Sequence, residues 1–152
     1  MAAGDILKEA LLVVETFPVK TGASIAKGEL VIDDGAGIVV ATAALAVAGK
    51  AMMALMASVA AVPATIECVV VGFVEAKKVA ATGAARKGDK LMVSGTAGAV
   101  TKFVKGAMPA ADTYNTVAAQ AAVDKNLGVV GTATETTLDA TTTQKMLLGV
   151  IG

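Results

Sequence analysis

The sequence predicts an all-β domain, and three observations predict it. The first is an internal two-fold repeat: Thr21 to Val40 reads TGASIAKGELVIDDGAGIVV, and Thr82 to Thr101 reads TGAARKGDKLMVSGTAGAVT. Each copy runs through Thr-Gly-Ala, Lys-Gly-acid, an apolar triplet, a Gly-rich turn and a second apolar run. A later pair, VVVGFV at 69–74 and MLLGVI at 146–151, echoes the duplication. Self-similarity of this kind marks a repeated supersecondary unit. The second observation is that the apolar runs are short, rich in Val and Ile, and bounded by Gly and Asp turn signals, as strands are. The third is composition. Hydrophobic residues make up 55% of the 152 residues but aromatics only 3%, so Ala, Val, Leu, Ile and Met must fill a thin, interdigitated core or surfaces buried between subunits. The length is that of one domain and suffices for a real core.

The elements follow in order. Residues 1–20 read as an N-terminal arm. Either Asp5 caps a short helix with Ile6, Leu7 and Leu11 on one side, stopped by Pro18, or Leu11 to Val14 begins a strand; periodicity does not separate the two. Residues 21–152 read as a single β-domain with repeat units at 21–74 and 82–151. In the first unit Lys27-Gly28-Glu29 is a tight turn in which Gly28 supplies a positive φ. Leu30-Val31-Ile32 and Ile38-Val39-Val40 form a hairpin around the Asp33-Asp34-Gly35 turn. Residues 45–62 hold good helix formers from Gly49 to Met56. They read as one short helix or as a loop leading into a strand at Leu55 to Val59. Ile66 to Val74 is the strongest strand signal in the chain.

In the second unit Arg86-Lys87-Gly88-Asp89 repeats the tight turn, 60 residues after Gly28. Leu91-Met92-Val93 and Ala99-Val100-Thr101 repeat the hairpin around Ser94-Gly95-Thr96. Residues 104–125 read as an insertion carrying Tyr114. Leu127 to Thr132 is a strand, and Thr132 to Thr143, with seven threonines among twelve residues, is a polar loop or edge. Lys145 to Ile151 closes the fold.

Composition argues against several functions. The chain has no histidine, which removes Ser-His-Asp triads, Cys-His dyads and imidazole metal sites. Cys68 is the single cysteine; inside an apolar run it reads as a buried small hydrophobe. Only 17% of residues are charged and the formal net charge is +0. Counterion release on nucleic acid would contribute little, and no aromatics interleave with basic residues to stack bases. Nucleic acid is therefore not an expected partner. Low charge with a mean hydropathy of +0.71 favours association. From Ala36 to Ile66 the only charge is Lys50, long enough to cross a bilayer. That stretch is broken by Gly37, Gly49 and Pro63 and lacks aromatic or basic flanks, so no membrane is expected. Met1 to Asp5 lacks the basic start of a signal peptide.

Three motifs invite chemistry and are outweighed by simpler readings. Gly83 to Lys90 has the glycine spacing of a phosphate-binding loop, but Asp89 and Lys90 stand where Lys-Ser/Thr is required; a Gly-Asp turn is the better reading. Glu75-Ala76-Lys77-Lys78 faintly resembles the modified-lysine hairpin of biotinyl or lipoyl carrier domains, without its Met-Lys-Met core. Asp33-Asp34, with Asp5 or Asp139, has the charge for a cation, yet paired acids in a Gly turn are turn residues. No catalytic acid–base pair is assigned, and neither enzymatic activity, cofactor nor metal is expected.

The order of these parts resembles the head-decoration, or capsid cement, proteins of tailed phages and prophages, one branch of which was labelled a RecA/RadA-like recombinase. The residues that carry the resemblance are Ile25-Ala26-Lys27-Gly28-Glu29-Leu30-Val31, Ile66 to Glu75 leading to Lys77, Ala85 to Val93, and Lys145 to Val150. The defective phosphate loop gives the recombinase label no support. The resemblance implies a compact β-barrel or β-tulip domain with an N-terminal arm. It further implies a homotrimer on the outer capsid surface, made in the host cytoplasm, that bridges neighbouring capsomers of the major capsid protein. On this reading Ile6, Leu7, Leu11, Leu12 and Phe17 of the arm are candidate contacts to the capsid or an adjacent subunit. Deleting the arm is then expected to abolish shell binding and leave the β-domain folded. Gly28, Gly35, Gly88 and Gly95 are candidate turn residues. A tail-tube or fibre subunit, or a carrier domain modified on Lys77 or Lys78, are the alternatives.

Overall fold

A computed structural model describes residues 3–42, 51–105, 116–117, 119–120 and 128–149. The protein is nearly all-β, with 50% strand and 3% helix, and its antiparallel sheet curls into a half-barrel. The strands are β1 (Asp5–Pro18), β2 (Leu30–Asp33), β3 (Ile38–Val40), β4 (Met52–Ala54), β5 (Thr65–Lys77), β6 (Lys90–Val93), β7 (Val100–Lys102), β8 (Val129–Ala133) and β9 (Thr143–Leu148). They form one sheet in the order β3-β2-β4-β5-β9-β8-β6-β7, with β1 on β5.

β5 is the hub. Its first half pairs with β4 (Met53 opposite Val69) and its second half with β9 (Gly72 opposite Leu148). β1 runs antiparallel along β5 from Asp5 opposite Glu75 to Pro18 opposite Thr65. The β-branched residues Ile66, Val69, Val70, Val71 and Val74 suit a strand with two paired edges. Of the two readings of residues 1–20 the strand holds and the helix does not: Leu11 to Val14 lies within β1, which pairs along β5. Register shifts between Ile6 and Val14 mark bulges, which spoil the period-2 pattern that would have announced it.

The sequence duplication is a structural one. The hairpin β2–β3 matches β6–β7, and the β2·β4 and β4·β5 pairings match β6·β8 and β8·β9. A parallel bridge from Val19 to Ile38 draws β1 towards β3, and the equivalent bridge from Lys78 to Val100 draws β5 towards β7. Ile25–Ser58 and Ala85–Thr137 are a second matched pair of bridges. The tight turns agree atom by atom: Glu29 N donates to Ala26 O as Asp89 N does to Arg86 O, and Gly28 N donates to Ala54 O as Gly88 N does to Ala133 O. β1 thus belongs to the first unit as β5 belongs to the second, and β5 serves both.

The stretch 52–54 is strand, so helix propensity in the Ala/Met run loses to pairing with β2 and β5. The helical residues described are 116–117 and 119–120, within the predicted insertion. The rest of that insertion, apart from 104–105, and residues 43–50 lie outside the described residues. No helix among the described residues is long and apolar enough to cross a membrane.

Two apolar clusters hold the fold. Val19, Ile25, Val31, Ile38, Met52, Ala54, Ile66 and Cys68 pack in the first unit. Leu30, Ile32 and Met53, on the opposite faces of β2 and β4, join Val69, Val74, Leu91, Val93, Val100, Met146 and Leu148 in the larger cluster. The second unit replaces two apolar members of the first with polar ones. Where Val19 and Ile66 stand in the first unit, Lys78 and Gln144 stand in the second, each buried. Their polar atoms are satisfied: Lys78 Nζ donates to the carbonyls of Asp139 (3.1 Å), Val79 and Thr141, and Gln144 accepts from Thr137 Oγ1 at 2.6 Å.

Candidate functional site

The predicted turn glycines sit where the chain reverses. Gly28 and Gly88 have φ of +83° and +91°, and Gly35 has +92°. In the second hairpin the left-handed residue is Gly98, at +74°, while Gly95 lies in the turn outside that region. The six-residue connection from Val93 to Val100 shifts the reversal three positions along. Gly98 also joins the two units: its N–H donates to Ala41 O and its carbonyl accepts from Leu30 N.

The motifs with chemical potential are occupied by structural work. Asp34 pairs with Lys20 at 2.6 Å, and this hydrogen bond, with that from Ala36 N, holds its carboxyl below the usual range. Asp89 accepts from Arg86 N and pairs with Lys102, with the same effect. Asp139 accepts from Gly83 N. Among the described residues no group of three acids, histidines or cysteines is placed to hold a metal. Cys68 is fully buried, and burial pushes its thiol up to about 12. Lys77 pairs with Glu29 at 2.7 Å and Lys78 is buried, and neither lies at the tip of a hairpin between paired strands. Glu75 is buried, with Oε1 accepting from Thr143 Oγ1 and Oε2 without a partner among the described residues.

The surface also carries exposed apolar residues. Along β1, Leu11, Val13 and Val14 are exposed, at 46%, 42% and 38%. Adjacent residues point to opposite faces, so this part of β1 stands clear of the body on both. Among the proposed contact residues Leu11 fits that surface. Leu12 and Phe17 are half-buried against the two clusters. Ile6 pairs with Val74 through the backbone, and the side chains of Ile6 and Leu7 lie outside the described residues.

Two exposed apolar turn tips are also related by the repeat. The turn 59–62 exposes Val59 and Val62, and the turn 138–141 exposes Leu138. In each, the fourth residue donates to the first, Val62 N to Val59 O and Thr141 N to Leu138 O. In the first turn Ala60 and Ala61 have φ of 49° and 62°, a costly conformation for alanine. Ser24 Oγ, accepting from Ala60 N, and Ala23 O, accepting from Ala61 N, hold it. These tips were missed in the sequence, although SVAAV at 58–62 and TLDAT at 137–141 share a spacing that shows them. No family model, curated protein or solved structure matches this chain. The resemblance to the head-decoration family rests on the residues that carry it.

Proposed function

We propose that this protein is a structural virion component that decorates the outer surface of a phage capsid and, as a homotrimer, bridges neighbouring capsomers of the major capsid protein. The motif order from Ile25 to Val150 carries the reading. An all-β body that places Glu29, Asp34, Asp89 and Glu135 in ion pairs with lysines while exposing apolar strand and turn residues is compatible with it. Such a subunit acts through contact area. Each buried Å² of apolar surface contributes roughly 25 cal/mol, less the cost of association, and repetition over a shell multiplies the effect. The turn tips at Val59, Val62 and Leu138 are the contacts assigned to the shell. Electron cryomicroscopy of particles that carry the protein tests the reading. The expected result is density outside the shell at three-fold positions. Density in a tail would overturn it in favour of a tube or fibre subunit.

A further inference from the structure

The chain contains one long-strand edge twice, covered once and, among the described residues, open once. β5 is the repeat equivalent of β1, 59 residues on, as the bridges of Val19 and Lys78 show. The edge of β5 that faces away from β4 and β9 is covered by β1, antiparallel, with Val14 opposite Val69 and Pro18 opposite Thr65. The same edge of β1 pairs with no strand among the described residues. It is flanked by exposed Leu11, Val13 and Val14, the profile of a strand edge that recruits another strand.

We infer that this edge is an interface between two copies of the protein, in which β1 of one copy lies antiparallel on β1 of the other as β1 lies on β5 within the chain. The occupant follows from the fold. A strand equivalent to β5 is completed here by β1, and a second copy offers β1. Carrying the regular part of the β1·β5 register across the repeat places Val14 of one copy opposite Ala10 of the other and Pro18 opposite Ile6. That register is centred on Leu12, so the two-fold axis passes there and Leu11 faces Val13 of the other copy. The contact is isologous and closes at two. It is independent of the shell reading. On a shell, it would tie neighbouring three-fold clusters together across two-fold positions.

Sedimentation equilibrium of the free, full-length protein tests this from micromolar to near-millimolar concentration, with circular dichroism to verify folding. The wild-type mass is expected to rise with concentration in steps of two. Val13→Lys sets a lysine against Leu11 of the other copy twice across the axis and is expected to weaken association about tenfold. Leu11→Glu combined with Val13→Lys creates two opposite-charge pairs in the inferred register and is expected to restore association. Both positions are exposed, so folding should survive. A wild-type protein that stays at 14.9 kDa throughout, association unaffected by Val13→Lys in a folded variant, or a double variant as weak as the single one would each overturn the inference.

Discussion

Removing residues 1–19 separates an appendage from a structural strand. The deletion removes the backbone pairing of β1 with β5 over nine registered residue pairs. It also removes Val19, 7% exposed, and half-buried Phe17 from the first-unit cluster. Burial of one such side chain contributes about 1.5–3 kcal/mol, and each backbone hydrogen bond a net of about 1 kcal/mol. The loss is on the order of 5–10 kcal/mol, comparable with the whole stability of a domain at about 5–15 kcal/mol. The exposed remainder would be the full edge of β5 beside uncovered Ile66 and Cys68, an aggregation template. The truncated protein is expected to be insoluble or to lack a cooperative thermal transition by circular dichroism. A soluble truncation that melts within a few degrees of the intact protein would refute β1's structural role and reinstate the arm.

Other predictions follow from the repeat and the ion pairs. Gly28→Ala and Gly88→Ala both place alanine at positive φ, but an added Cβ at Gly28 meets Ala3 at 2.6 Å while at Gly88 nothing lies within 4 Å. By denaturant titration Gly88→Ala should cost about 1–2 kcal/mol and Gly28→Ala more; equal costs would contradict the packing of Ala3 on Gly28. Ala61→Gly relieves the left-handed alanine and should stabilise by roughly 0.5–1 kcal/mol, read as a higher Tm. The carboxyls of Asp34 and Asp89 titrate lower in the folded state than in the unfolded chain. Their contribution is therefore present above the unfolded value near 4 and is lost as pH falls through the folded value. A Tm that declines on acidification below about pH 4, and less steeply in Asp34→Asn/Asp89→Asn, is expected. Val59→Asp with Leu138→Asp should leave Tm almost unchanged, within about 0.5 kcal/mol per site, and reduce co-sedimentation with shells; full binding would remove the turn tips from the interface.

The hairpins were legible because local chemistry decides them. Asp33-Asp34-Gly35 supplies both the left-handed glycine and the side-chain acceptors for Gly35 N and Ala36 N, and the flanking triplets are apolar and mostly β-branched. β1 was not legible. DILKEALLVVETFP mixes helix formers with strand formers, and the partner that settles the matter lies some 60 residues away in β5. Met52 to Ala54 failed for the same reason, since three residues gain nothing locally from being a strand. Lys78 shows the converse. A charged pair leaving a strand suggests solvent, yet the repeat places Lys78 where Val19 sits, and the carbonyls of Asp139 and Thr141, in a loop far along the chain, join that of Val79 in making the position habitable for an ammonium group. The exposed tips were readable in principle, because duplication had written them twice.

That one strand belongs to both units has a consequence for the order in which the molecule assembles. β5 lies in the middle of the chain, so β1 through β4 are already synthesised when it emerges, and the first unit has its full complement of strands. The second half of β5, Gly72 to Lys77, must then keep one edge unpaired until β9 arrives more than sixty residues later. During that interval the nascent chain carries a completed half and an open template of its own making. Closure by β9 is a late, long-range event of the kind that slows folding, and the unfinished edge is where a wrong partner would first take hold.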